Sequence, residues 1–250
     1  MTASPTPVPR TLYIHDDLSD ALGDDARARE LGQALFARLR RDRGRIVILT
    51  LAGQIDGLVA RGGHAPFVAT VGIGRAGVRV AEALHARTGW FPAIHRVDLW
   101  REEDDGGGYV LSGPEPLATR LVALGSADSI AVVDDTVFSG LTMRAVLAAL
   151  PPVPRRQAFC LRAVADSLAS VAELAPVNAG FTASGRILDD VSFINASGLV
   201  TRGAIRRTGR PPLAFYERAE WMAAWFPGDH EAIAALCREL ALELERIGLG

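Results

Sequence analysis

The chain has 250 residues, nearly half of them apolar, and a formal net charge of −2 at pH 7. That length suits one large α/β domain or a core with an extension, and the near-neutral charge argues against a general nucleic-acid-binding protein. All 27 basic residues are arginines, so a side chain that binds phosphate by its positive charge must be a planar guanidinium.

The sequence contains no apolar run of the roughly 20 residues that a membrane-spanning helix needs. Residues 1–10 are rich in Pro, Thr and Ser and lack the apolar segment of a signal peptide. We therefore expect a cytoplasmic protein that binds neither membranes nor nucleic acid. Cys160 and Cys237 lie in apolar stretches outside any CxxC pattern, which favours buried free thiols.

The elements predicted along the chain change in character at about residue 186. Residues 1–10 are expected to be a loose arm, followed by an amphipathic helix over 24–41 and a strand over 45–51. From residue 67 onwards, strands and helices alternate, with strands at 67–73, 93–100, 129–133, 157–164 and 178–183 and helices at 78–87, 117–124 and 142–150. Such alternation is typical of an α/β fold, a twisted parallel sheet with helices on both faces. Residues 186–212 look like loop and 213–249 like helix, which predicts an N-terminal segment 1–29, a core 30–185 and a helical C-terminal extension 186–250.

The segment 130–142, IAVVDDTVFSGLT, gives the strongest functional signal. An apolar strand leads to Asp134 and Asp135, and Ser139, Gly140 and Thr142 follow just before a helix. In open α/β folds, ligands bind at the carboxyl ends of the strands. Two carboxylates can accept hydrogen bonds from neighbouring sugar hydroxyls, while hydroxyls and N–H groups at a helix N-terminus bind an anion. A diol site next to a phosphate site fits ribose 5-phosphate, although an ordinary strand–turn–helix junction with a Ser/Thr cap is the alternative.

This pattern resembles the motif by which type I phosphoribosyltransferases bind 5-phosphoribosyl-1-pyrophosphate (PRPP). The resemblance implies an Mg²⁺-dependent pentosyltransferase of nucleotide metabolism, which transfers phosphoribose from PRPP to a small-molecule acceptor and releases pyrophosphate. It also implies a homodimer, and it assigns the ribose hydroxyls and the Mg²⁺ shell to Asp134 and Asp135. The implied cradle for the 5-phosphate is formed by Thr136, Val137, Phe138, Ser139, Gly140, Leu141 and Thr142.

A second glycine-rich segment, 71–77 (VGIGRAG), resembles the pyrophosphate loop of the same family. That loop would consist of Ile73, Gly74, Arg75 and Ala76. Arg75 would stabilise the charge that grows on pyrophosphate as the glycosidic bond breaks, which makes it a candidate catalytic residue beside Asp134 and Asp135.

The same segment also fits the GxGxxG pattern of dinucleotide-binding folds, with Gly72, Gly74 and Gly77. Asp98 stands at the end of the next predicted strand, where an acid that binds the ribose of NAD would lie. An NAD-dependent enzyme is therefore an alternative. It is disfavoured because the pattern usually opens such a domain, whereas here more than 60 residues precede it, and because it leaves the acid-pair motif unexplained.

Residues 101–113, REEDDGGGYVLSG, combine acidic charge with glycine freedom. They are predicted to form either a mobile loop that closes over the reacting centre and excludes water, or a surface hairpin. The candidate loop residues are Arg101, Asp104, Asp105 and Tyr109.

The acceptor is left open by two departures from familiar subfamilies. Phe138 stands where 6-oxopurine transferases carry an Asp that faces the purine, and residues 101–113 lack the Lys and His of orotate transferases. A PRPP-binding regulator without turnover is a further alternative. The acceptor-binding hood of the family would be built from 1–29 and 186–250, where the polar candidates, each also consistent with a solvated loop residue, are Asp189, Asp190, Asn195, Ser197, Arg206 and Arg207.

Overall fold

The computed structural model of the chain describes residues 8–19, 22–62, 65–104 and 108–249. In chain order its elements are β1 (Thr11–Asp16), α1 (Ala26–Leu39), β2 (Ile46–Thr50), α2 (Leu51–Ala60), β3 (Ala69–Ile73), α3 (Gly74–Thr88), β4 (Ile94–Val97), β5 (Trp100–Glu103), β6 (Tyr109–Ser112), α4 (Leu117–Leu121), β7 (Ser129–Val137), α5 (Leu141–Ala149), β8 (Arg155–Val164), α6 (Ala165–Ala172), β9 (Val177–Ala183), β10 (Val191–Asn195), α7 (Ala196–Val200), β11 (Ile205–Arg207), β12 (Arg210–Leu213), α8 (Ala219–Trp225) and α9 (His230–Arg246). The chain divides into a central unit, residues 52–102 and 109–185, and a terminal unit, residues 1–51, 103–108 and 186–250.

The central unit is built on a five-stranded sheet with the strand order β4-β3-β7-β8-β9. Every neighbouring pair is parallel. Its middle strand β7 begins with an apolar run, and the side chains of Ile130, Ala131, Val132 and Val133 are all fully buried. A continuous apolar run is what a parallel strand needs when both of its faces are covered.

Helices cover both faces of this sheet. On one face, Val71 and Val132 share a core cluster with Val146 and Leu147 of α5. Because successive side chains along a strand point to opposite faces, the next residue, Val133, faces the other way, and α3 packs against β3 and β7 on that side. The predicted α/β architecture, a parallel sheet between helices, is confirmed.

Helix α2 was not predicted from the sequence. Glycine contacts explain both how the helix packs and why its sequence has only a weak helical pattern. A Cβ on Gly57 would stand 2.5 Å from the carbonyl oxygen of Gly180 in β9. A Cβ on Gly180 would in turn stand 2.2 Å from the carbonyl oxygen of Gln54. The glycines that let the backbones of α2 and β9 meet are poor helix formers, so the segment does not look helical in the sequence.

The terminal unit contains a second parallel sheet, with the strand order β10-β1-β2. Helices α1 and α9 pack together and share a core cluster with β1. Their opposite ends are joined by ion pairs, Arg38 with Asp229 and Arg246 with Asp25. These pairs fix the two helices as antiparallel neighbours.

The terminal unit differs from the sequence prediction in two ways. Residues 186–212 were expected to be loop but contain β10, α7, β11 and most of β12. The strand predicted at 45–51 forms, but it pairs with β1 in the second sheet rather than in the main one. Residues 213–249 are largely helical, as predicted, through α8 and α9. The expected N-terminal arm falls mostly on residues outside the described ranges.

Both cysteines are buried and free, as predicted. Among the helices of the described residues, none combines the length and the apolar character needed to cross a bilayer.

Candidate functional site

Strand β7 delivers the acid pair to the carboxyl end of the main sheet. It runs to Val137, four residues beyond its predicted end, so Asp134 and Asp135 lie inside the strand. Thr136 and Val137 are also strand residues, paired with β8, and the Val137 side chain is buried in the core. The turn that leads to α5 is therefore shorter than expected and consists of residues 138–140.

That turn leads to a helix N-terminus that an anion can approach. Gly140 has a φ of +76°, and a Cβ there would lie 3.1 Å from the Ser170 hydroxyl. The Ser167 hydroxyl donates a hydrogen bond to the Phe138 carbonyl oxygen, which secures the turn. The N-cap residue of helix α5 is Gly140, which provides no side-chain cap, and the Leu141 N–H donates a long hydrogen bond of 3.5 Å to Ser139 Oγ. The first N–H groups of α5, next to the exposed Ser139 and the half-buried Thr142, have the arrangement that binds phosphate.

The two carboxyl groups of the acid pair have different surroundings. Asp134 is only 8% exposed, and its Oδ1 accepts a hydrogen bond from the Asp135 backbone N–H at 2.8 Å. Burial, with the nearby Asp135 charge, raises the pKa of Asp134 well above its usual value, while Arg101 acts in the opposite direction. Asp134 therefore favours its protonated form more than an exposed aspartate does.

Asp135 is held by a buried arginine that the sequence analysis did not single out. Arg162 Nη2 donates to Asp135 Oδ2 at 3.0 Å, and only 1% of the arginine side chain is exposed. Arg162 Nη1 lies 3.5 Å from Gln54 Oε1. The site thus includes residues from β8 and α2 that no motif indicated.

The second glycine-rich segment forms the junction between β3 and α3. Gly74 has a φ of +61°, and α3 begins there without a side-chain cap. Arg75 and Ala76 lie exposed in the first turn of α3, whereas Ile73 is buried. Since β3 pairs with β7, the uncapped starts of α3 and α5 both follow adjacent parallel strands.

The other two glycines of the GxGxxG pattern have packing roles. A Cβ on Gly77 would stand 2.4 Å from the Val133 carbonyl oxygen, and one on Gly72 would stand 2.8 Å from the Val78 backbone nitrogen. Both positions let α3 approach the sheet closely. Asp98, the candidate ribose-binding acid of the NAD alternative, forms an ion pair with Arg96.

The described part of residues 101–113 belongs largely to the adjacent strands β5 and β6, the two arms of a hairpin. The Arg101 guanidinium lies 5.8 Å from the ring centroid of Tyr109, which is 51% exposed. Asp104 accepts the Gly108 backbone N–H at 2.8 Å. Asp105 lies outside the described residues.

The polar residues considered for the hood have structural contacts within the terminal unit. Ser197 donates to Asp17 from its backbone N–H and its hydroxyl. Asp190 accepts the Arg186 backbone N–H at 2.9 Å, and that bond lowers its pKa. Asn195 ends β10, and the hairpin of β11 and β12 carries Arg206 and Arg207.

Within the described residues, no cluster of three or more His, Cys, Asp or Glu side chains could hold a metal ion by itself. The acid pair nevertheless fits Mg²⁺, which proteins commonly bind through one or two carboxylates together with substrate phosphates and water.

Comparison with known proteins identifies the family. The chain is 32% identical over 156 residues to the bifunctional protein PyrR of Mycobacterium tuberculosis, a match that covers 58% of this chain and 77% of the relative. The chain belongs to the type I phosphoribosyltransferase family. PyrR of Mycobacterium bovis matches to the same extent. No family model matches the sequence.

Solved structures show weaker similarities to this chain. A hypothetical protein from Neisseria gonorrhoeae with bound ppGpp has a TM-score of 0.43 and 18% identity, over 57% of this chain and 82% of that one. A purine phosphoribosyltransferase from Pyrococcus horikoshii has a TM-score of 0.38 and 16% identity, over 57% and 86%. The family assignment, from PyrR, supports phosphoribosyl transfer or PRPP-binding regulation.

Proposed function

We propose that this chain binds PRPP with Mg²⁺ and transfers its phosphoribosyl group to a small-molecule acceptor, releasing pyrophosphate. One observation carries the proposal. Two uncapped helix N-termini, those of α3 and α5, follow adjacent parallel strands, and the acid pair of Asp134 and Asp135 lies on one of those strands. PRPP carries a phosphate at one end, a pyrophosphate at the other and a diol between them, which matches this arrangement.

The ribose and its 5-phosphate are assigned to β7 and α5. Asp134 and Asp135 accept hydrogen bonds from the two ribose hydroxyls. The phosphate binds to the N–H groups at the start of α5, with help from the Ser139 and Thr142 hydroxyls. Thr136 and Val137 contribute position rather than direct contact, because both belong to the strand.

The pyrophosphate is assigned to residues 73–76 at the start of α3. Arg75 donates hydrogen bonds to the leaving group and stabilises the negative charge that grows on it in the transition state. Asp134 and Asp135 would hold Mg²⁺ together with the substrate, and the ion would supply further charge neutralisation. Most of the rate acceleration then comes from positioning and electrostatics.

The hairpin of β5 and β6 is the segment proposed to limit water at the reacting carbon. Arg101 already influences Asp134 electrostatically. Exclusion of water matters because water would compete with the acceptor for the ribosyl carbon. The homodimer expected for the family and the cytoplasmic location stay predictions.

A PRPP-binding regulator without turnover is the second candidate. It is supported by the PyrR relatives, which are described as bifunctional. The two functions share the PRPP site and differ in whether pyrophosphate is released.

The test is calorimetric titration of PRPP with Mg²⁺ into the wild type and into the double variant Asp134→Asn/Asp135→Asn, with NAD as a control ligand. A matched control removes the other strand-end acid pair, Asp16→Asn/Asp17→Asn. We expect binding by the wild type and the control and a loss of at least tenfold in the site variant. Circular dichroism checks folding, and Ser139→Ala/Thr142→Val provides a second site variant that leaves the acid pair intact. NAD binding without PRPP binding would overturn the proposal.

Pyrophosphate release in the presence of PRPP and a panel of nitrogenous acceptors separates the two candidates. Turnover with any acceptor supports the transferase. Tight PRPP binding without turnover across the panel favours the regulator.

A further inference from the structure

Arg162 is a fully buried arginine inside an apolar strand. Its neighbours on both sides in β8, Leu161 and Ala163, are also fully buried. In the register of the sheet it stands opposite Thr136, directly after the acid pair of β7. The guanidinium therefore lies at the same level of the sheet as the proposed ribose site.

The contacts of Arg162 lead to the acid pair in one direction and to α2 in the other. Nη2 donates to Asp135 Oδ2 at 3.0 Å, and Nη1 lies 3.5 Å from Gln54 Oε1. Gln54 is itself buried. The close backbone approach of α2 at Gly57 and Gly180 holds the helix near the sheet, which lets Gln54 reach the guanidinium.

Stability alone is a poor explanation for this ion pair. Removing two charges from water costs free energy that their attraction often fails to offset, and apolar replacements of similar volume are frequently as stable. A strand as apolar as β8 could accept a leucine or methionine at this position. The pair is better explained by what it does to the orientation of Asp135.

The geometry points to such a role. A carboxylate with one oxygen engaged by a fixed guanidinium has lost most of its rotational freedom, so its remaining acceptor directions are set before a ligand arrives. We propose that Arg162, steadied by Gln54, is a positioning residue that holds Asp135 in the orientation that binds a ribose hydroxyl of PRPP. This inference rests on the proposed function.

The role predicts which kinetic constant changes. The hydroxyl contact exists both in the bound substrate and in the transition state, so its loss weakens binding uniformly. Arg162→Met should raise the KM and the Kd for PRPP by roughly 10- to 100-fold, by analogy with the range found when the partners that orient metal-binding side chains are removed. It should change kcat little.

The experiment is a double-mutant cycle in PRPP binding. The Kd is measured by calorimetry with Mg²⁺ for the wild type, Arg162→Met, Asp135→Asn and the double variant. If Arg162 acts through Asp135, the arginine substitution weakens binding in the wild type but has little further effect once Asp135 is replaced. Equal weakening in both backgrounds would mean a general structural effect and would overturn the proposal.

Two further variants keep the test decisive if Arg162→Met does not fold. Arg162→Lys keeps the charge but not the planar fork, and it should weaken PRPP binding less than Arg162→Met. Arg155→Met is the matched control from the same strand. Arg155 donates to the backbone carbonyls of Ala65 and Pro66, so its loss should lower stability and leave the PRPP Kd unchanged. If Arg162→Met does not fold, the lysine variant decides: unchanged PRPP affinity in Arg162→Lys and in Gln54→Leu would sink the inference.

The cycle also distinguishes this inference from the proposed function. Wild-type protein that binds PRPP, with an Arg162→Met variant that binds equally well, removes the positioning role and leaves the function standing. Wild-type protein that binds no PRPP removes both.

Discussion

A strand of each of two parallel sheets in this molecule leads into a pair of neighbouring aspartates, within β7 in one case and at the end of β1 in the other, and the two pairs are held in different ways. In the terminal unit, Asp16 accepts hydrogen bonds from the backbone N–H and the hydroxyl of Ser19. Asp17 accepts the same two groups of Ser197, at the start of α7. Each carboxylate thus accepts hydrogen bonds from donor groups of a nearby turn or helix start.

In the central unit, the corresponding pair has partners of another kind. Asp134 is buried, and it accepts a hydrogen bond from the backbone N–H of the next residue in the strand. Asp135 is engaged by Arg162 from the neighbouring strand. These carboxylates are therefore positioned by the sheet interior, while Gly140, the N-cap residue of the adjacent helix α5, provides no side-chain cap.

The two pairs of acids therefore differ in their neighbours. The central pair lies beside the starts of α3 and α5, where the N-cap residues provide no side-chain hydrogen bond. In the terminal unit, the acids accept hydrogen bonds from the local N–H groups themselves. We expect this difference to control both stability and binding.

The largest expected effect on stability follows loss of Asp135. Asp135→Ala leaves Arg162 buried without its carboxylate, and breaking a buried pair in this way costs about 3–5 kcal/mol. Urea denaturation measures the change. Replacing both partners, in Arg162→Met/Asp135→Leu, should recover most of the loss. A cost below about 1 kcal/mol for Asp135→Ala would show that the guanidinium readily finds another partner.

Asp134→Asn should affect protein stability and PRPP affinity in different ways. Burial raises the pKa of this carboxyl, so its stabilising contribution is complete below the unfolded pKa and is lost as the pH rises through the folded pKa. The wild type should lose stability relative to Asp134→Asn from about pH 4 upward. PRPP affinity should fall by at least about tenfold, or 1.4 kcal/mol.

Thermal unfolding of the wild type and of Asp134→Asn between pH 4 and pH 8 measures the change in stability, and calorimetry with PRPP measures the change in affinity. If the stability of the wild type and of Asp134→Asn depended on pH in the same way, the result would contradict a raised pKa of Asp134.

Asp17→Ala should cost about 1 kcal/mol, the usual effect of losing a side chain that caps a helix N-terminus. PRPP affinity should not change, because the acid serves α7 in the terminal unit. Ser197→Ala, which removes only the hydroxyl contact, should lower stability less than Asp17→Ala. A drop in PRPP affinity with Asp17→Ala would break the distinction between the two pairs.

The smallest effect is expected for Asp16→Ala. Its hydrogen bonds to Ser19 are exposed, and surface substitutions of this kind usually change stability by no more than about 0.5 kcal/mol. Chemical denaturation of Asp16→Ala beside Asp17→Ala would rank the two. A cost above that of Asp17→Ala would reverse the order.

The sequence predicted the main sheet well because its central strands, β3, β7 and β8, are built on apolar runs. It also predicted that the glycine-rich segment follows a strand directly, as it does after β3. It placed the end of β7 too early, because acids are rare in strand interiors and Asp134 looked like a terminus. Strand pairing with β8 overrides that tendency.

Other features depend on contacts between distant segments and had little local signal. Helix α2 was missed because its glycines, required by the contact with β9, weaken the helical pattern. Strand β10 was taken as loop because it is short and pairs with β1, some 180 residues away. The sequence held one signal for Arg162, a single charged residue within the otherwise apolar run 158–164. Its pairing with Asp135 is visible only in the structure.

The extension of β7 beyond the acid pair has a consequence for the entropy of ligand binding. Thr136 and Val137 are hydrogen-bonded to β8, so the backbone on both sides of the two acids is already ordered. Their amide hydrogens should exchange with solvent only when the sheet opens. A diol that binds there meets groups whose freedom was lost during folding, and the remaining cost of ordering falls on residues 138–140. The part of the site proposed to bind phosphate, rather than the part proposed to bind sugar, should therefore rigidify when ligand arrives.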